Sequence, residues 1–228
     1  LSATVANVGT LNVISISNLN SLTTNLIAAR ANVTTLNVFQ IVAGNIYTSN
    51  TITTVKDVFA GPVRVGKGAN AVATDTVLGA GVLLNDTGTY DTAIGYASMS
   101  SSQPFVGYDT AVGASTLQND TGPGYNTAVG AGSMVGSYPS QGQDVAVGFS
   151  TLQSDTGAGY NTAIGTYSMQ NSNPGGGYDT AVGYYALSGD SGPGYNTAVG
   201  GEAMQSASTS GYSTGIGWQA LQNDRGSY

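Results

Sequence analysis

The chain has 228 residues, of which only 7% are charged, 34 are glycine and none is Cys or His. An ordinary soluble domain carries about 25% charged residues. The missing Cys and His remove disulfides, thiolate nucleophiles, Cys/His zinc sites and imidazole acid–base chemistry together.

Charge is unevenly placed. Residues 1–74 hold Arg30, Lys56, Arg64 and Lys67 against Asp57, a net of +3. Residues 75–228 hold Arg225 against eleven acids, a net of −10. The acidic distal part disfavours nucleic acid, because phosphate binding needs clustered Lys and Arg. No apolar run is long enough for a transmembrane helix and no basic segment precedes an apolar one, so neither membrane insertion nor a signal peptide is expected in this segment. The chain starts at Leu1 and stops at Tyr228, where a tenth repeat would begin, which reads as a segment of a longer protein.

Residues 1–60 read as a β-rich stalk. Ala6-Asn7-Val8-Gly9-Thr10-Leu11-Asn12-Val13 recurs as Ala31-Asn32-Val33-Thr34-Thr35-Leu36-Asn37-Val38. Apolar residues fall every two or three positions among Asn, Ser and Thr, and β-branched residues dominate. Such a segment is too slender to bury a core as a monomer, so an intertwined stalk is expected. An amphipathic helix over Asn18–Ala29 is the alternative. Residues 61–74, with Ala60-Gly61-Pro62 and Val63-Arg64-Val65-Gly66-Lys67-Gly68, read as a neck.

From residue 75 the chain is one repeat, whose core reads Tyr, Asp/Asn, Thr, Ala, Val/Ile, Gly. Its glycines are Gly79, Gly95, Gly113, Gly130, Gly148, Gly165, Gly183, Gly200 and Gly217, spaced by 16 to 18 residues. Four residues beyond each glycine, Leu and Met alternate strictly: Leu83, Met99, Leu117, Met134, Leu152, Met169, Leu187, Met204 and Leu221. The turns alternate too, Asn/Ser-Asp-Thr-Gly after Leu and a looser Ser/Gln/Pro/Gly stretch after Met. Repeats of this length that cannot bury a core alone must stack on one another. Short strands punctuated by Gly, Asn and Asp predict an all-β solenoid of about nine coils, rising by about 4.8 Å each. Strand parity puts Tyr, Thr and Val/Ile on one face and Asp/Asn, Ala and Gly on the other. The bulky face is expected to fill the coil interior, the flat one to admit a close neighbour.

The column Asp75, Asp91, Asp109, Asn126, Asp144, Asn161, Asp179, Asn196, Ser213 alternates in charge from Asp109 onward. Stacked like charges repel; alternation doubles their separation to roughly 9.6 Å, near the Debye length. Asn in between can form amide ladders.

Gly-Tyr-Asn-Thr-Ala-Val/Ile-Gly at 124–130, 159–165 and 194–200 resembles the head repeats of trimeric autotransporter adhesins, the Yersinia adhesin family. It looks closer still to Tyr-Asn-Thr-Ala-Ile-Gly-type arrays in phage tail fibres and surface fibres of large DNA viruses. Asn-Val-Thr-Thr-Leu-Asn-Val resembles stalk segments of chlorovirus-like structural proteins. The resemblance covers residues 75–228, with units longer than those of the adhesins. It implies a left-handed parallel β-roll and a homotrimer. It also implies a place on the virion surface, capsid or tail proteins at one end, and a host glycan or protein receptor at the other.

The turn aspartates Asp86, Asp120, Asp155, Asp190 and Asp224 are candidate calcium ligands, but one carboxylate per coil falls short of the six to eight oxygens calcium takes. Asx turns are preferred. The hexad tyrosines Tyr90, Tyr108, Tyr125, Tyr160, Tyr178, Tyr195 and Tyr212 read as a stacked ladder in preference to a sugar- or partner-binding stripe. Tyr96, Tyr167, Tyr184 and Trp218, just past the repeat glycine, are better candidates for exposure. Thr76, Thr92, Thr110, Thr127, Thr162, Thr180, Thr197 and Thr214 supply one Thr per coil, whereas ice-binding arrays commonly use two. No catalytic residue, cofactor or metal is expected, and the chain is read as a non-enzyme. The expected function is a structural fibre or spike that contributes to host attachment. The alternatives are a bacterial trimeric adhesin head on the outer cell surface, and a single-chain solenoid that binds a ligand, binds ice or cleaves glycans through an Asp pair.

Overall fold

The computed structural model describes residues 57–68, 72–85, 87–102, 107–136, 142–154, 158–172, 176–207 and 211–225. The stalk reading over 1–56, the helical alternative for 18–29, and Asp86 and Asp155 lie outside them. Among the described residues the protein is all-β: eleven strands in one sheet whose spatial order follows the sequence. β1 (Val58–Ala60) and β2 (Val63–Gly66) form a hairpin, and β2 continues antiparallel onto β3 (Thr76–Gly79). Residues 63–66 of the neck are therefore a strand of the same sheet. Asp57 ties the hairpin: it pairs with Arg64 at 3.3 Å and accepts the Lys67 and Gly68 amides at 2.6 and 3.1 Å.

The remaining strands are β4 (Thr92–Ile94), β5 (Thr110–Val112), β6 (Thr127–Val129), β7 (Val145–Val147), β8 (Thr162–Ile164), β9 (Thr180–Val182), β10 (Thr197–Val199) and β11 (Thr214–Ile216). From β3 onward every neighbour is parallel and in register, Ala93 on Ala111, Ala111 on Ala128, and so on up the stack. This is the solenoid expected from the periodicity. Here one rung denotes one strand with the corner that follows it.

The faces are reversed from the parity expectation. The interior column is Ala93, Ala111, Ala128, Ala146, Ala163, Ala181 and Ala198, all fully buried, with Val77 at its start. Thr and Val/Ile point outward: Leu78, Val147, Ile164, Val199 and Ile216 are exposed, as are the hexad tyrosines other than the half-buried Tyr160. The reason is space. A three-residue strand encloses a narrow coil, and the Leu/Met column from Leu83 to Met204, buried to within 1%, reaches across from the far side and fills it. From β4 to β10 an Ala-sized group sits opposite. Small hydroxyls complete the interior: Ser98, Ser133 and Ser168 donate to the carbonyls of Ala111, Ala146 and Ala181 on the next rung.

The repeat glycines have φ of 120–149°, where residues with a Cβ are strained. They are also points of close contact between rungs. A Cβ on any of the eight from Gly79 to Gly200 would fall on the carbonyl oxygen of the repeat glycine one rung on. Beyond them, alternate corner residues are left-handed, including the buried Leu/Met column at φ of 43–53°. The corner amides run along the axis as a result. Ala97, Ser115 and Tyr167 donate to the preceding rung, and Met99, Leu117 and Met134 to the following one. Each such residue costs roughly 1–2 kcal/mol of local strain, offset by backbone groups that would otherwise be buried unpaired.

Candidate functional site

Two surfaces of the solenoid carry chemistry: the buried Asp/Asn column and the outward aromatic columns. The first is internal. Asp91, Asp109, Asn126, Asp144, Asn161, Asp179 and Asn196 are all 0–1% exposed. In each step the side chain's Oδ1 accepts the backbone amide of its equivalent one rung on. Asp91 takes the Asp109 amide at 2.8 Å, Asp109 that of Asn126 at 2.7 Å, Asn126 that of Asp144 at 3.1 Å, and Asn196 that of Ser213 at 3.1 Å. The Asn members also donate sideways. Nδ2 of Asn126 and Asn196 reaches the carbonyls of Pro123 and Pro193, and that of Asn161 reaches Ala158.

The turn aspartates meet that column. Asp120 Oδ1 accepts the Gly122 amide at 3.1 Å and its Oδ2 accepts Asn126 Nδ2 at 3.4 Å; Asp190 repeats both contacts with Gly192 and Asn196. A carboxylate accepting the amide two residues on is an Asx turn. The two alternations thus meet: at Asp120 and Asp190 the turn that closes one rung is followed six residues on by the column Asn that opens the next, and that Asn amide donates to the carboxylate. Burial pushes the Asp120 carboxyl up to about 6 and raises that of Asp190. Among the described residues no group of three or more His, Cys, Asp or Glu is placed to hold a metal ion, and no helix is long and apolar enough to cross a membrane.

Outside, the hexad tyrosines stack face to face. Tyr90, Tyr108 and Tyr125 lie 4.8 and 5.0 Å apart; Tyr160, Tyr178, Tyr195 and Tyr212 lie 4.7 to 5.1 Å apart. Gln143 interrupts the ladder and donates to the Tyr160 hydroxyl at 3.2 Å. The Tyr, Thr and Val/Ile columns lie side by side on the sheet's outer face, with at most a single Thr per rung, Val145 taking its place on β7.

A second aromatic group occupies the corner after the repeat glycine. Phe149 meets Tyr167 edge-on at 5.5 Å, Tyr167 stacks on Tyr185 at 4.8 Å, and Tyr184 meets Tyr185 edge-on at 4.5 Å. Trp218 covers Gly201, where a Cβ would collide with its six-membered ring. Glu202 Oε2 accepts from Gln219 and Gln222 at 2.8 and 2.9 Å. Tyr167, Tyr184 and Trp218 were legible as corner residues; Phe149, Tyr185 and Glu202 were missed, although the Tyr184-Tyr185 doublet is a visible break in the repeat. The ladder residues Gly79 to Gly217 and Leu83 to Leu221 are structural in position. Of these, Leu221 is exposed and Gly217 has open space beside it, both on the last described rung.

Comparison with protein-family models, curated proteins and solved structures finds no match to this chain.

Proposed function

We propose that this chain is the protomer of a homotrimeric fibre on a virion surface, a stiff spacer that contributes to host attachment. In this reading the solenoid is a left-handed β-roll of nine coils, one per strand from β3 to β11. The supporting observation is the outward Val/Ile column. Leu78, Val147, Ile164, Val199 and Ile216 are 36–71% exposed and Ile94, Val112, Val129 and Val182 half-buried along one in-register face, in a protein with few charges to keep such a face in water. Burying it against sister chains removes it from solvent and leaves a rod of repeated surfaces suited to multivalent weak contact. The chain has no His or Cys, and in this reading its role is mechanical rather than catalytic.

Sedimentation equilibrium of the full chain tests this. A particle of three times the 22.8 kDa chain mass is expected, dissociating when Val147 and Ile164 are both replaced by Lys. A stable 22.8 kDa monomer overturns it.

A further inference from the structure

The corner aromatics are not demanded by the fold. The residue directly after the repeat glycine is Ala80, Ala114 and Ala131 on three rungs of the first half, so a rung closes equally well with a methyl group there. In the second half the same column reads Phe149, Thr166, Tyr184, Gly201, Trp218. Aromatic rings therefore recur on every second rung, and the glycine between the last two leaves room for the Trp218 ring to lie down over it. Phe149, Tyr184 and Trp218 are 49%, 48% and 67% exposed. They lie beyond the strand ends, in the corners, and so form a column other than the Val/Ile one.

Three facts select the ligand. Two rungs span about 9.6 Å, close to the disaccharide repeat of an extended β-1,4-linked glycan, in which the same sugar face recurs at every second ring. Exposed aromatic faces stack on the C–H faces of pyranoses, while the neighbouring groups, Glu202, Gln219 and Gln222, exchange hydrogen bonds with hydroxyls. The charged group held among them is a carboxylate, Glu202, which repels sulfated or uronic chains.

We infer that Phe149, Tyr184 and Trp218 form three stacking subsites for a neutral, extended β-1,4-linked oligosaccharide lying parallel to the solenoid axis. This site would supply the receptor contact of the fibre proposed above and rests on that reading for its biological use only. A trimeric mass without glycan binding removes the site and leaves the fibre; glycan binding by a 22.8 kDa monomer does the reverse.

The test is titration of the full chain with cellohexaose and chitohexaose, read by the emission of Trp218, the chain's single tryptophan, and by calorimetry. A blue shift and saturable binding of at least one hexasaccharide are expected. The matching disaccharide should bind at least tenfold more weakly because it reaches one ring. Trp218→Ala and Tyr184→Ala should each weaken binding at least tenfold by calorimetry. Tyr96→Ala, in the same column but isolated in the first half, should change nothing, and Trp218→Phe should restore part of the loss. Both losing variants alter exposed side chains, and an unchanged circular dichroism spectrum checks their fold. No binding of either hexasaccharide at millimolar concentration overturns the site. So does binding that survives both Ala variants, or equal binding of the curled α-linked maltohexaose.

Discussion

The first and second halves of the solenoid share one interior and differ at their corners. From Ala93 to Ala198 the strand column does not change, and Leu and Met alternate throughout. The corner column changes from Ala80, Tyr96, Ala114 and Ala131, with one aromatic ring, to Phe149, Thr166, Tyr184, Gly201 and Trp218, with three. The difference separates what stacking dictates from what it tolerates. A position facing the next rung is fixed by contact at every repeat, whereas a corner side chain meets solvent and is free to vary. Specific chemistry in such a rod is therefore to be sought where the repeat breaks outside, not where it holds inside.

The sharpest way to break the contrast is a methyl group. Gly130→Ala places its Cβ on the Gly148 carbonyl and should cost at least about 4 kcal/mol, beyond the ordinary range for one substitution. Gly217→Ala, with nothing near it, should cost only the backbone strain of about 1–3 kcal/mol. Urea midpoints of the two variants check the ordering.

Acid should stabilise the interior at Asp120. Its folded carboxyl titrates at about 6 because burial penalises the charge, against about 3.9 when unfolded. Folding therefore takes up a proton between those values. The stabilisation from protonation is full below about pH 4 and is lost as pH rises through the folded value, a change on the order of 3 kcal/mol. The stability difference between wild type and Asp120→Asn, measured from pH 4 to 7.5, should show this fall and then level off.

Asn126→Asp sets three carboxylates in succession, Asp109, the new one and Asp144, and removes the donor to Asp120 and to Pro123. A loss of about 1–2 kcal/mol at pH 7 is expected, shrinking in acid, by thermal melting. The smallest effect belongs to the outer surface. Gln143→Tyr fills the gap between Tyr125 and Tyr160, joins the two ring stacks, and should add about 1 kcal/mol.

Periodicity made the solenoid, its stacking direction and the Leu/Met column legible, because each follows from residues that recur at one spacing. Parity alone misassigned the inside. Thr, Val and Tyr are the larger side chains, but a coil filled from the far side by Leu117 or Met134 has room only for Ala128. The left-handed Leu and Met were hidden as well, since neither residue favours that conformation. A signal was present two positions further on, where Asn119, Gly136, Ser154, Asn171, Gly189 and Ser206 share one column. All have φ of 56–73°, and Asn and Gly are the residues most at ease there. The turn aspartates were read correctly as Asx turns at Asp120 and Asp190. Their pairing with the Asn of the inner column needed coordinates, because the partners are six residues apart and meet only when the turn closes.

The Asp/Asn column also has a direction. In every step the carboxylate or amide oxygen belongs to the earlier rung and the N–H to the later one. A finished rung thus presents an acceptor to a segment not yet laid down, and never the reverse. A polypeptide leaving the ribosome amino end first meets a ready template for each new winding, so the rod can be built like a vectorial zipper, closing in the order in which it is made.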